Sequence, residues 1–120
     1  MIKDRLLNLP GEIEELKIKL YETQVKLGNY KERLKSWELI EMSRIANEVD
    51  DNGKAKYSND AKRQAELLHR ISESEEYGSL DYEAAELEDN VTLLNISIEK
   101  LFNEQGNLRA ICRLEGALNE

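Results

Sequence analysis

The sequence predicts an all-α chain: a long antiparallel helical hairpin of coiled-coil type, with a short central helix, that oligomerises into a helical bundle. Three observations carry this expectation. Apolar side chains recur at alternating spacings of three and four over two long stretches, which is the period of a supercoiled helix seam. The residue supply suits helices, with 35% charged residues, only 6% aromatics and a single Pro in 120 residues. Most of that charge is Glu, Lys and Arg, which are good helix formers. Between the two stretches stands Asn52-Gly53, a strong turn signal because both residue types tolerate positive φ. The length sets one helical domain spanning residues 1–120.

In chain order, residues 1–9 form a lead and the first helix is predicted over residues 10–49. Pro10 suits a first helical turn, where its missing N–H is no loss. Glu12, Glu14 and Glu15 then sit near the positive end of the helix dipole. The seam reads Leu6, Leu9, Ile13, Leu16, Leu20, Thr23, Leu27, Tyr30, Leu34 and Trp37. Past Trp37 the phase drifts through Ile40, Ile45 and Val49, as a stutter would make it. Gly28 weakens the helix locally, by about 1 kcal/mol relative to Ala.

A turn is predicted over residues 50–59, with Ser58 or Asn59 capping a short helix over 60–74. Tyr57 precedes the cap and is placed to staple the turn to that helix. The short helix offers Ala61, Ala65, Leu68 and Ile71 as its apolar face. It would sit at the hairpin tip or fold back beside it. A third helix is predicted over 75–118, with the seam Tyr77, Leu80, Ala84, Leu87, Val91, Leu94, Ile98, Leu101, Gln105, Leu108 and Cys112. Ile111, Leu114 and Leu118 extend an apolar face toward its end.

Further apolar residues lie off both seams: Ile18, Val25, Leu39, Leu93, Ile96 and Phe102. They widen the faces beyond what two paired helices cover. The short helix or a second subunit is therefore expected to cover them, most simply through a dimer in a four-helix arrangement.

Composition narrows the function. The net charge of −8 argues against a protein that coats nucleic acid, because phosphate neutralisation dominates such binding. The single Cys, Cys112, forms no internal disulfide and fits a reducing cytoplasm. The N-terminus carries no apolar run of signal-peptide length, and no stretch of about 18 apolar residues predicts a membrane span. Zinc sites draw on Cys and His, and here there is one of each. Glu66 and His69 supply one Glu-x-x-His spacing without a second His to complete a di-iron bundle. No phosphate-cradling Gly-rich loop or nucleophile elbow is present. Cys112 falls on the seam, where a thiol acts as a small hydrophobe, and Tyr30 and Trp37 read as packing anchors. No enzyme and no cofactor are expected.

The central segment stands apart. From Lys54 to Arg70 five basic residues face Asp60 and Glu66, a net +3 that leaves −11 on the rest of the chain. Lys54, Lys56, Tyr57, Lys62, Arg63 and Arg70 are the candidate partner- or nucleic-acid-binding residues, the cations for phosphate and Tyr57 for stacking on a base. The competing reading makes Lys54 and Lys56 loop solubilisers and gives Lys62, Arg63 and Arg70 to salt bridges with acidic neighbours.

The same segment carries a resemblance. Lys54-Ala55-Lys56-Tyr57-Ser58-Asn59-Asp60-Ala61-Lys62-Arg63-Gln64-Ala65-Glu66, followed by Arg70-Ile71 and Glu76-Tyr77, resembles a stretch of small uncharacterised coiled-coil proteins of bacteria and their prophages. There a Tyr-Ser/Thr-Asn-Asp/Glu turn opens a helix, with an Arg a few residues on and a later Glu-Tyr. The resemblance covers residues 54–77 and implies no activity. It implies a mobile-element setting, where small helical proteins accompany DNA replication, recombination or packaging machinery.

The expected function is thus a non-catalytic, oligomeric coiled-coil adaptor or accessory protein. Two alternatives stand beside it: a nucleic-acid-binding accessory protein that uses the basic tip, and a holdase-like chaperone that grips unfolded chains with exposed apolar surface.

Overall fold

A computed structural model describes residues 1–119, with side chains through residue 116; Leu118 lies outside the described side chains. The chain is an all-α helical hairpin of three helices, α1 (Ile2–Asn47), α2 (Asp60–Glu73) and α3 (Glu75–Asn119). Its contacts divide it into two compact units, Met1–Lys26 with Leu87–Glu120, and Leu27–Glu86.

In the first unit the start of α1 runs antiparallel to the end of α3. Arg5 meets Glu104, while a surface groove further along has Lys19, Thr23 and Lys26 on one wall and Asn90, Leu94 and Ser97 on the other. The predicted seams both point inward: Leu9, Ile13 and Ile98 are buried, and Leu16, Leu20, Leu94, Leu101, Gln105, Leu108 and Cys112 are half-buried. Burying such a stripe at roughly 25 cal/mol per Å² is what holds two long helices together.

One expectation needs correcting here. The first helix begins at Ile2, not at Pro10, so Pro10 lies inside it. Proline in a helix interior removes one backbone hydrogen bond and crowds the preceding turn. Packing outweighs that cost, because the turn before Pro10 carries Leu9, fully buried, and Arg5, anchored on Glu104. Tertiary contacts of this kind, more than propensity, decide where helices start.

In the second unit α1 runs antiparallel to α2 and the start of α3. Trp37 and Tyr77 stack edge-on with ring centroids 5.0 Å apart. Arg70 bonds Glu41 of α1 and Glu48 just past its end, and Ile45 and Leu67 are both buried. The short helix is thus the first section of the descending arm. It does not fold back beside the hairpin. Its apolar face also differs from the expected one. Ala61, Ala65 and Leu68 are exposed, while Arg63, Glu66, Leu67, Arg70 and Ile71 turn inward. Counting back from Tyr77 by three and four gives Ser74, Arg70, Leu67 and Arg63, so the seam of α3 continues through α2 with polar residues on it. The first seam does the same beyond Trp37: Glu38, Glu41, Met42, Ile45 and Glu48 turn inward, whereas Ile40 and Val49 are exposed.

Only Ser74 separates α2 from α3. It closes α2 through its backbone N–H to the Ile71 carbonyl. Its hydroxyl then accepts from the Tyr77 N–H at 3.0 Å and caps α3. One residue satisfies orphan groups of both helices, which is why the arm breaks there without a loop.

Candidate interaction surface

The connection between α1 and α2 is tightly built. Gly53 adopts φ +78°, the left-handed region that glycine enters without strain. The Asp50 carboxylate accepts from the Asn52 and Lys54 N–H groups at 2.9 and 3.0 Å. Backbone bonds join Asp50 to Lys54 and Lys56 to Glu48, and Val49 pairs with Ala55 in an antiparallel bridge. Asn59 then caps α2, its side chain accepting from the Lys62 N–H at 2.9 Å. The Asn52-Gly53 turn and the Asn59 cap read from the sequence are both here.

The six candidate residues divide into two groups. Arg63 and Arg70 are committed to the fold. Arg63 donates from Nε to the Tyr57 carbonyl at 3.1 Å and ties the loop to α2. Arg70 is ringed by three carboxylates: Glu66 at 2.9 Å, Glu41 at 3.2 Å and Glu48 at 2.8 Å. The hydrogen bond from Arg70, with its charge, holds the Glu66 carboxyl below the usual carboxylate range. Glu66, Glu48 and Glu41 in turn raise the Arg70 guanidinium above its ordinary value. Lys54, Lys56 and Lys62 are exposed, as is His69. Lys62 reaches the Ser58 hydroxyl at 3.5 Å. Lys56 lies over the half-buried Tyr57 ring, 5.6 Å from its centroid.

Space also rebalances the charge. The segment from Lys54 to Arg70 is +3 by sequence, but Glu41, Glu48, Asp50 and Asp51 adjoin it and Arg44 joins Glu41 at 2.7 Å. Those four acids and one base bring the local total to zero. The sequence reading missed Glu41 and Glu48, although extending the first seam by three and four past Trp37 lands on both. An apolar-only count skips them because they are charged.

A second surface is apolar. In the first unit Ile18, Tyr21 and Val25 follow one another at spacings of three and four on the outward side of α1, with relative exposures of 50%, 68% and 45%. Leu7 lies on the same stripe and is also exposed. On α3, Leu93 and Ile96 are exposed, while Phe102 sits under the Lys17 ammonium, 5.0 Å from its ring centroid. Of these, Ile18, Val25, Leu93, Ile96 and Phe102 are off-seam residues that the sequence marked for cover by the short helix or a second subunit, whereas Leu7 and Tyr21 were not among them. In the second unit, Trp37, Ile40 and Leu80 line an open groove of about 530 Å³.

Among the described residues no group of three or more His, Cys, Asp or Glu side chains is placed to hold a metal ion. Among them, too, no helix is long and apolar enough to cross a membrane. No protein-family model, curated protein or solved structure matches the chain.

Proposed function

We propose that this protein is a non-catalytic, oligomeric coiled-coil adaptor or accessory protein. The observation that carries this reading is the row of apolar side chains on the outward side of helices whose own seams are already filled. Ile18, Tyr21 and Val25 on α1, and Leu93 and Ile96 on α3, lie off the predicted seams and are exposed. A row of exposed large apolar residues marks a surface that another protein covers. A lone Cys112 is compatible with a cytoplasmic setting, and the resemblance of residues 54–77 is compatible with a phage or mobile-element origin.

Nucleic-acid binding through the tip loses support. Two of its five cations are engaged by the fold, and the acids of α1 and the loop neutralise the remainder. Affinity purification from host lysate, with and without nuclease, tests the two readings against each other. The adaptor reading expects protein partners that survive nuclease and are lost from an Ile18→Glu/Val25→Glu variant. Partners that vanish with nuclease, together with salt-sensitive binding that Lys54→Glu/Lys62→Glu abolishes, would contradict it.

A further inference from the structure

We infer that the outward stripe of α1 in the first unit is where a second copy of this chain docks, α1 against α1 in parallel. The inference rests on the oligomeric reading above and names its interface. The stripe runs Leu7, Gly11, Glu14, Ile18, Tyr21 and Val25 at spacings of four, three, four, three and four. That is a second heptad-type seam on one helix, opposite the first, and a helix with two such seams pairs on both sides.

Charge sets the direction. The residues flanking the stripe are Lys17 on one side and Glu15 and Glu22 on the other. In a parallel pair Lys17, which in the single chain lies over the Phe102 ring, turns to Glu22 of the second copy, twice by symmetry, five residues apart as flanking pairs of parallel coiled coils are. In an antiparallel pair centred between Lys19 and Leu20, Glu15 would face Glu22, and Glu14 would press on Val25. Like charges at such positions repel. The parallel arrangement keeps one unfavourable contact, Glu14 against its own symmetry mate.

Sedimentation equilibrium of the full chain and its variants tests this, with circular dichroism confirming that helicity is kept. The wild type is expected to dimerise and Ile18→Glu/Val25→Glu to be monomeric. Glu14→Leu, which removes the like-charge contact, is expected to lower the dimer Kd. Glu22→Lys is expected to raise it about tenfold, since it sets Lys17 against a lysine; a factor of ten corresponds to about 1.4 kcal/mol. Val25→Cys in a Cys112→Ser background is expected to form an intermolecular disulfide on oxidation. A dimer that persists in Ile18→Glu/Val25→Glu would overturn this interface and leave the oligomeric reading standing. A dimer that tightens with Glu22→Lys and fails to cross-link through Val25→Cys would overturn the parallel direction. A wild type that stays monomeric would overturn both the interface and the oligomeric reading.

Discussion

Arg70 and Tyr77 fix the pairing of the descending arm with α1, and each does so with a polar group at a seam position. Arg70 gathers Glu41, Glu48 and Glu66 at a side-chain exposure of 22%. Polar residues on a seam cost stability relative to leucine but specify which register is right. Replacing Arg70 by Met leaves three carboxylates facing one another. The expected loss is about 1–2 kcal/mol, read from urea denaturation. Acid should produce the same effect. Glu66 is held below its ordinary value in the folded chain, so the unfolded chain binds more protons as pH falls. The stability it contributes is complete above its unfolded value, 4.5, and is lost as pH drops through the lower folded value. Thermal melts are therefore expected to weaken below that pH, and to weaken less in Arg70→Met. Tyr77 has the opposite sense. Burial, reinforced by its hydrogen bond to Glu38 at 2.8 Å, pushes its hydroxyl up to about 12. Its contribution is complete below pH 10 and is lost as pH rises through about 12. Tyr77→Phe should remove this step from the phenolate titration at 295 nm and cost about 1 kcal/mol at neutral pH. The sequence put Tyr77 on the seam and offered Arg70 for salt bridges with acidic neighbours, but apolar counting passed over Glu41 and Glu48. Glu66 reaches Arg70 along α2, whereas Glu41 of α1 and Glu48 of the connection reach it only in the paired register.

At the scale of elements, legibility followed the strength of the pattern. Every residue of the two long predicted seams through Trp37 and from Tyr77 is buried or half-buried. The turn was readable because Asn52-Gly53 and Asn59 each have one clear job. Of the face expected for the short helix only Ile71 turns inward, because the inward side, with Arg63, Leu67 and Arg70, is largely polar, while Ala61, Ala65 and Leu68 offered a more apolar but exposed alternative. The start of α1 was misplaced because Pro10 reads locally as a first-turn residue, and the contacts that extend the helix past it lie on α3. That yields a test. Pro10→Ala restores a helix-interior N–H and removes the clash with the preceding turn, so it should stabilise the protein by up to about 3 kcal/mol. Chemical denaturation reads that gain, and the amides of residues 2–10 should exchange more slowly with deuterium.

For the whole molecule, the first interaction site proposed from sequence was the basic central segment. The fold turns much of that segment into architecture, since Arg63 fastens the loop and Arg70 fastens α2. Sequence could count the cations but not the acids that α1 brings beside them. What stays open to a partner is the apolar outer side of the helices, visible in the sequence as residues out of phase with the seams. If that surface is what the protein works through, replacing Lys54 and Lys62 by Glu should leave self-association unchanged, while Ile18→Glu/Val25→Glu should end it. The most direct test is the solution mass of the wild-type chain by light scattering across the micromolar range. The account expects twice the 13.9 kDa chain mass or a higher multiple; a mass that stays at 13.9 kDa at every concentration would contradict it.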